Sequence, residues 1–93
     1  PARTATIYGA GLSISLSPNP AGAETRIIIG TAQREKVVLE LLGAQGAPAG
    51  FSVEVEVDGV FDTSLNMADV PAGFYYLTAQ TSTESVQKML IKN

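Results

Sequence analysis

Apolar and polar residues alternate along this chain with a period of two, and no stretch repeats at the 3.6 residues of an amphipathic helix. Leu12, Ile14 and Leu16 alternate with Ser13, Ser15 and Ser17, which predicts a half-buried first strand. Pro18 and Pro20 end it, since neither has an N–H to give to a ladder. Residues 25–30 include three consecutive isoleucines, a β-branched run suited to the centre of a sheet. Residues 36–42 supply a third strand, with Val37, Leu39 and Leu41 on one face. Gly43 and Gly46 bracket a turn, and Pro48 is expected to stop the sheet from running on. Phe51, Val53, Val55 and Val57 then alternate with Ser52, Glu54, Glu56 and Asp58, the clearest amphipathic strand in the chain. Asp58-Gly59 predicts a two-residue hairpin turn, with a return strand over about residues 60–67. Residues 70–73 read as a corner, 74–80 as a sixth strand, 81–83 as a turn and 85–92 as the last strand.

Short strands separated by turn signals predict an all-β fold, an immunoglobulin-like β-sandwich of about seven antiparallel strands, with an open barrel as the alternative. Gly43, Gly46 and Gly73 are expected at positive φ, where a Cβ is unwelcome. Tyr75 follows the corner, where a buried ring with its hydroxyl bonded to backbone would make a tyrosine corner. Phe74 and Tyr76 point the other way as an aromatic pair. In the last strand Val86, Lys88, Leu90 and Lys92 share one face and Gln87, Met89 and Ile91 the other. Neither face is cleanly polar. At a sheet edge such a strand would offer backbone groups to a partner, and in isolation would favour a homodimer.

At 93 residues the chain has the size of one domain. Apolar residues make up 45% and charged residues 16%, a composition that folds. Histidine and cysteine are both absent, which removes the commonest general base, the usual zinc ligands and any disulfide framework. No serine stands in a nucleophile elbow. Glu54 and Glu56 read as a solvated strand face, and Asp58 with Asp62 is too sparse for a calcium loop. No catalytic residue, metal or cofactor is therefore expected, and the chain reads as a non-enzyme. Its net charge of −3, with six cations and no basic run, argues against a nucleic-acid partner. No apolar run approaches the ~20 residues of a membrane helix, so direct membrane insertion is not expected. Acids gather in the middle of the chain, whereas the strand after Glu84 holds only Lys88 and Lys92.

Four motifs occur in order. Pro18, Asn19 and Pro20 follow the first strand, and Gly43 and Gly46 mark a mid-chain turn. Pro71, Ala72, Gly73, Phe74 and Tyr75 open the sixth strand, and Lys88, Met89, Leu90, Ile91, Lys92 and Asn93 form a basic-apolar ending. Together they resemble a type IX secretion system C-terminal sorting domain (type A, Por secretion signal family), over about residues 12–93. Residues 1–11 then read as the linker remnant of a preceding passenger. The resemblance implies a domain recognised in the periplasm by an outer-membrane translocon, with shuttle and sortase proteins as further partners. The passenger would end at the cell surface or be secreted, and a sortase would usually remove the domain and join the passenger to lipopolysaccharide. Residues 88–93 are implied as the recognised segment. Ser17 stands where such domains often have an aromatic or apolar residue, and no cleavage site can be placed. From the residues alone, Pro18-Asn19-Pro20 suits either a docking epitope or a stiff crossing between sheets. The rival readings are an adhesion or carbohydrate-binding accessory module using Phe74 and Tyr76, and a structural spacer.

Overall fold

A computed structural model describes residues 11–93, so the expected linker lies, apart from Gly11, outside the described residues. Seven antiparallel strands form two sheets: β1 (Ser13–Ser17), β2 (Glu24–Gly30), β3 (Glu35–Gly43), β4 (Pro48–Val57), β5 (Val60–Asn66), β6 (Gly73–Gln80) and β7 (Ser85–Lys92). One sheet has the order β1-β2-β5 and the other β4-β3-β6-β7. This is the immunoglobulin-like β-sandwich expected from the alternation.

The inner faces follow the sequence pattern. Ile27 and Ile29 of β2, central in its sheet, meet Val37, Leu39 and Leu41 of β3 and Leu77, Ala79 and Leu90 of β6 and β7 in one fully or nearly fully buried core. Burying an aliphatic side chain of this size contributes about 1.5–3 kcal/mol. Thr25 is a fully buried polar residue, and its hydroxyl donates to the Pro18 carbonyl at 2.8 Å. That bond satisfies a group that would otherwise be costly to bury.

Three sequence expectations fail here. Asp58-Gly59 is not a hairpin, because β4 and β5 belong to different sheets. Two residues flanking a two-residue hairpin would share a face, yet Val57 is 1% exposed and Val60 is 68% exposed. The dipeptide instead crosses between sheets, held where Thr31 N–H donates to the Gly59 carbonyl at 2.8 Å and Gly59 N–H donates to Thr31 Oγ1 at 3.1 Å. Pro48 does not stop the sheet. It is the first residue of β4, opposite Leu42, a position where a strand tolerates a missing N–H. Between Glu40 and Leu42 the register shifts, so β4 is irregular where the smallest residues lie. The third failure is Gly43, which does not adopt positive φ. A Cβ there would meet only the Ala47 carbonyl at 3.6 Å, an ordinary contact.

The strand with the cleanest alternation is also not the best buried. β4 is an edge strand of the four-stranded sheet and faces a sheet of only three. Val57 is fully buried, Phe51 and Val55 are half-buried, and Val53 is exposed.

Candidate recognition surface

The four motifs, scattered through the chain, meet at one end of the sandwich. β6 begins there and β7 ends there, with Gly73 opposite Lys92, Phe74 opposite Ile91 and Tyr75 opposite Leu90. On the other flank of β6, Tyr75 lies opposite Gly43, which leads into the turn closed by Gly43 N–H to Ala47 carbonyl at 2.7 Å and Gly46 N–H to Gly43 carbonyl at 2.9 Å. Gly46, at φ +90, supplies the left-handed residue of that turn.

Pro18-Asn19-Pro20 is the component whose partner lies furthest away in sequence. Residues 18–21 run as a strap along the outer edge of β7. Both proline peptide bonds, Ser17-Pro18 and Asn19-Pro20, are cis. The Asn19 side chain works like the backbone of a neighbouring strand: its Nδ2 donates to the Met89 carbonyl at 2.9 Å, and its Oδ1 accepts from Ile91 N–H at 3.0 Å. Ala21, fully buried, continues the pairing with backbone alone. Its N–H donates to the Ile91 carbonyl at 2.7 Å and its carbonyl accepts from Asn93 N–H at 2.9 Å, a parallel bridge centred on Lys92. The Thr25 hydroxyl on Pro18 ties the strap back to the opposite sheet. The motif is not a crossing between sheets, because β1 and β2 pair in the same sheet; it is the loop that joins them, and it reaches over to the edge of the other sheet and docks onto its own chain.

At the corner before β6, Gly73 has φ +150, a conformation that L side chains rarely adopt. Two residues on, the half-buried ring of Tyr75 packs against the core and its hydroxyl donates to the Pro71 carbonyl at 2.6 Å. The tyrosine corner is thus present, with an exposed hydroxyl end. Ala72, Gly73, Phe74 and Tyr75 face the 43–47 turn across a shallow groove of about 410 Å³.

The terminal segment divides in two. Leu90 is fully buried and belongs to the core. Met89 and Ile91 lie on the outer face of the sheet, where Leu42, Tyr76 and Met89 form one cross-strand row and Phe74 with Ile91 the next. Phe74 is 58% and Met89 45% exposed, so this end presents an apolar surface. Lys88 and Lys92 alternate with these residues, in phase with Leu90 on the other face of β7, and Lys92 Nζ donates to the Asn93 carbonyl at 3.2 Å.

Glu54 and Glu56 lie elsewhere. Glu54 pairs with Lys36 at 3.3 Å and Glu56 with Arg34 at 3.5 Å, along the opposite edge of the sheet. A larger hollow, about 630 Å³, lies at the far end between residues 33–38 and 80–82, and its cations are those same two paired residues. On the three-stranded sheet Arg26 grips Asp62 side-on, Nε donating to Oδ1 at 2.8 Å and Nη2 to Oδ2, and this hydrogen bonding holds the Asp62 carboxyl below its ordinary pKa. Among the described residues no three His, Cys, Asp or Glu side chains gather in a metal-binding group. The sequence could not reveal the Asn19 clamp, because its partners lie 70 and 72 residues away. No protein-family model matches the chain, and no curated protein matches it significantly.

Proposed function

We propose that this domain is a sorting address of the type IX kind, which takes an attached passenger from the periplasm through an outer-membrane translocon to the cell surface. The observation that supports this reading is the Asn19 clamp. Pro-Asn-Pro, the glycine turn, the Pro-Ala-Gly-aromatic corner and the basic-apolar ending are four sequence motifs, yet they contribute to one end of one sheet. A spacer has no need to build such an end around an exposed Phe74 and Met89. Recognition then falls to Phe74, Met89, Ile91, Lys88 and Lys92, while Leu90, Gly73, Tyr75 and Asn19 hold them in place.

The test is export of a reporter fused ahead of the domain, in cells with and without the translocon. Removing residues 88–93 outright would take the buried Leu90 with them, so point changes are the cleaner probe. Lys88→Glu with Lys92→Glu should keep the thermal midpoint and leave the reporter in the periplasm. Surface labelling in cells that lack the translocon would overturn the reading. So would Phe74-dependent retention on a glycan array by a domain that exports nothing, the outcome expected of a carbohydrate-binding module.

A further inference from the structure

We propose that the first half of β7, residues 85–89, is a strand-addition site for an extended segment of a partner protein, one that places a carboxylate beside Lys88. The inference stands on the backbone of one sheet edge and not on the sorting role.

β7 is an edge strand, and β6 is the one strand it pairs with among the described residues. In an antiparallel ladder the N–H and C=O of a residue point to the same side, and successive residues alternate. Ile91 directs both groups outward to the strap, and Met89 directs its carbonyl there. Ser85 and Gln87 are in phase with them and also face outward. The strap stops at Met89. Among the described residues nothing meets the N–H and C=O of Gln87 or the N–H of Met89. Among the described residues the edge is therefore half closed, by a segment of the chain itself running parallel to β7, and half open. A foreign strand laid over residues 85–89 continues a pairing surface that the strap has already begun.

The side chains select the occupant. Lys88 is exposed and, among the described residues, makes no ion pair. A second copy is a poor fit. Antiparallel pairing centred on Gln87 would set each Lys88 opposite Val86 of the other copy and the two lysines on a diagonal, and like charges so close across strands destabilise pairing. A strand with a carboxylate at that place gains where the copy loses. On the outer face an apolar residue of the added strand extends the row of Tyr76 and Met89.

The experiment titrates nitrogen-15-labelled protein with a blocked peptide, Thr-Val-Glu-Val-Glu-Val-Thr, and with its analogue carrying lysine in place of glutamate. Amide exchange at Gln87 and Met89 should slow about tenfold near saturation with the acidic peptide, since newly bonded amides must open before they exchange. The lysine peptide should bind about fivefold more weakly, the scale of one exposed charge pair, and Lys88→Glu should reverse the preference. Gln87→Pro removes the outward N–H and should abolish binding; its thermal midpoint shows whether it folds, and the exchange data on unaltered protein stand without it. The proposal is overturned by equal binding of the two peptides, or by Gln87 and Met89 amides already protected in the free monomer. It is overturned equally by protection that rises with protein concentration alone, which would mean self-pairing, or by peptide shifts confined to Phe74 and Tyr76.

Discussion

Replacing Asn19 by alanine removes two hydrogen bonds, to the Met89 carbonyl and from the Ile91 N–H, at 2.9 and 3.0 Å. A typical hydrogen bond contributes about 0.5–1.5 kcal/mol net. Both of these lie at an exposed site where water can replace the lost partner, so the low half of that range applies to each. The expected loss is about 1–2 kcal/mol in total. For a domain of this size that lowers the thermal midpoint by roughly 5–15 °C. Asn19→Asp is the sharper probe. It keeps an acceptor for Ile91 N–H but turns a carboxylate toward the Met89 carbonyl in place of a donor. At neutral pH it should destabilise at least as much as alanine, and it should recover part of the loss as acid protonates the new carboxyl and restores an O–H. Thermal unfolding followed by circular dichroism gives the magnitude, and amide exchange at Ile91 gives the location. Unchanged midpoints together with unchanged Ile91 protection would refute the clamp.

Gly73→Val forces a β-branched residue into φ +150 and should cost about 1–3 kcal/mol, read from a denaturant midpoint; an unaltered midpoint would show that the corner is not strained. Tyr75→Phe removes the hydroxyl that donates to Pro71 and should cost about 0.5–1.5 kcal/mol, with the ring packing left intact. The Asp62 carboxyl has a folded pKa below its unfolded value, so its contribution is present above pH ~4 and is lost as pH falls through the lowered folded value. Arg26→Ala should therefore lower the midpoint slightly at pH 7 and by less as pH falls through the lowered folded value, and high salt should shrink the difference because the pair is exposed; an effect independent of pH would refute it.

What could be read in advance was whatever depends on neighbours in the chain. Three isoleucines in a row placed β2 at the centre of its sheet, and the spacing of Val37, Leu39 and Leu41 identified their buried face. Tyr75 after Gly73 announced its own corner. The failure at Asp58-Gly59 concerns which strand lies beside which, whereas those at Gly43 and Pro48 are local. Asp58-Gly59 has the left-handed glycine that a hairpin turn needs, with φ +89 at Gly59, but an arch between sheets uses the same conformation, and local chemistry cannot separate the two. The amphipathic pattern of β4 marked an inner face correctly and still could not say that the opposite sheet would be one strand short. At the proposed recognition surface the motifs were visible as separate pieces. Their meeting depends on pairings between β6 and β7 and on an asparagine reaching an edge strand 70 residues away, and no window along the sequence contains both ends.

The crossing at Asp58-Gly59 bears on how the chain acquires this fold. β2 must pair with β5 and β3 with β6, yet β3 and β4 lie between the first two in sequence and β4 and β5 between the second two. Each sheet thus waits on a strand that arrives only after the chain has visited the other. Hairpins β1-β2, β3-β4 and β6-β7 can form locally, but none gains a core alone. Non-local pairing of this kind folds on a timescale of about milliseconds to seconds, and it couples the two sheets into one cooperative unit. Amides at Ile29 and Leu77, in opposite sheets, should then exchange through the same global opening. Under the proposed sorting role, a passenger joined to this domain would carry either a complete recognition end or none.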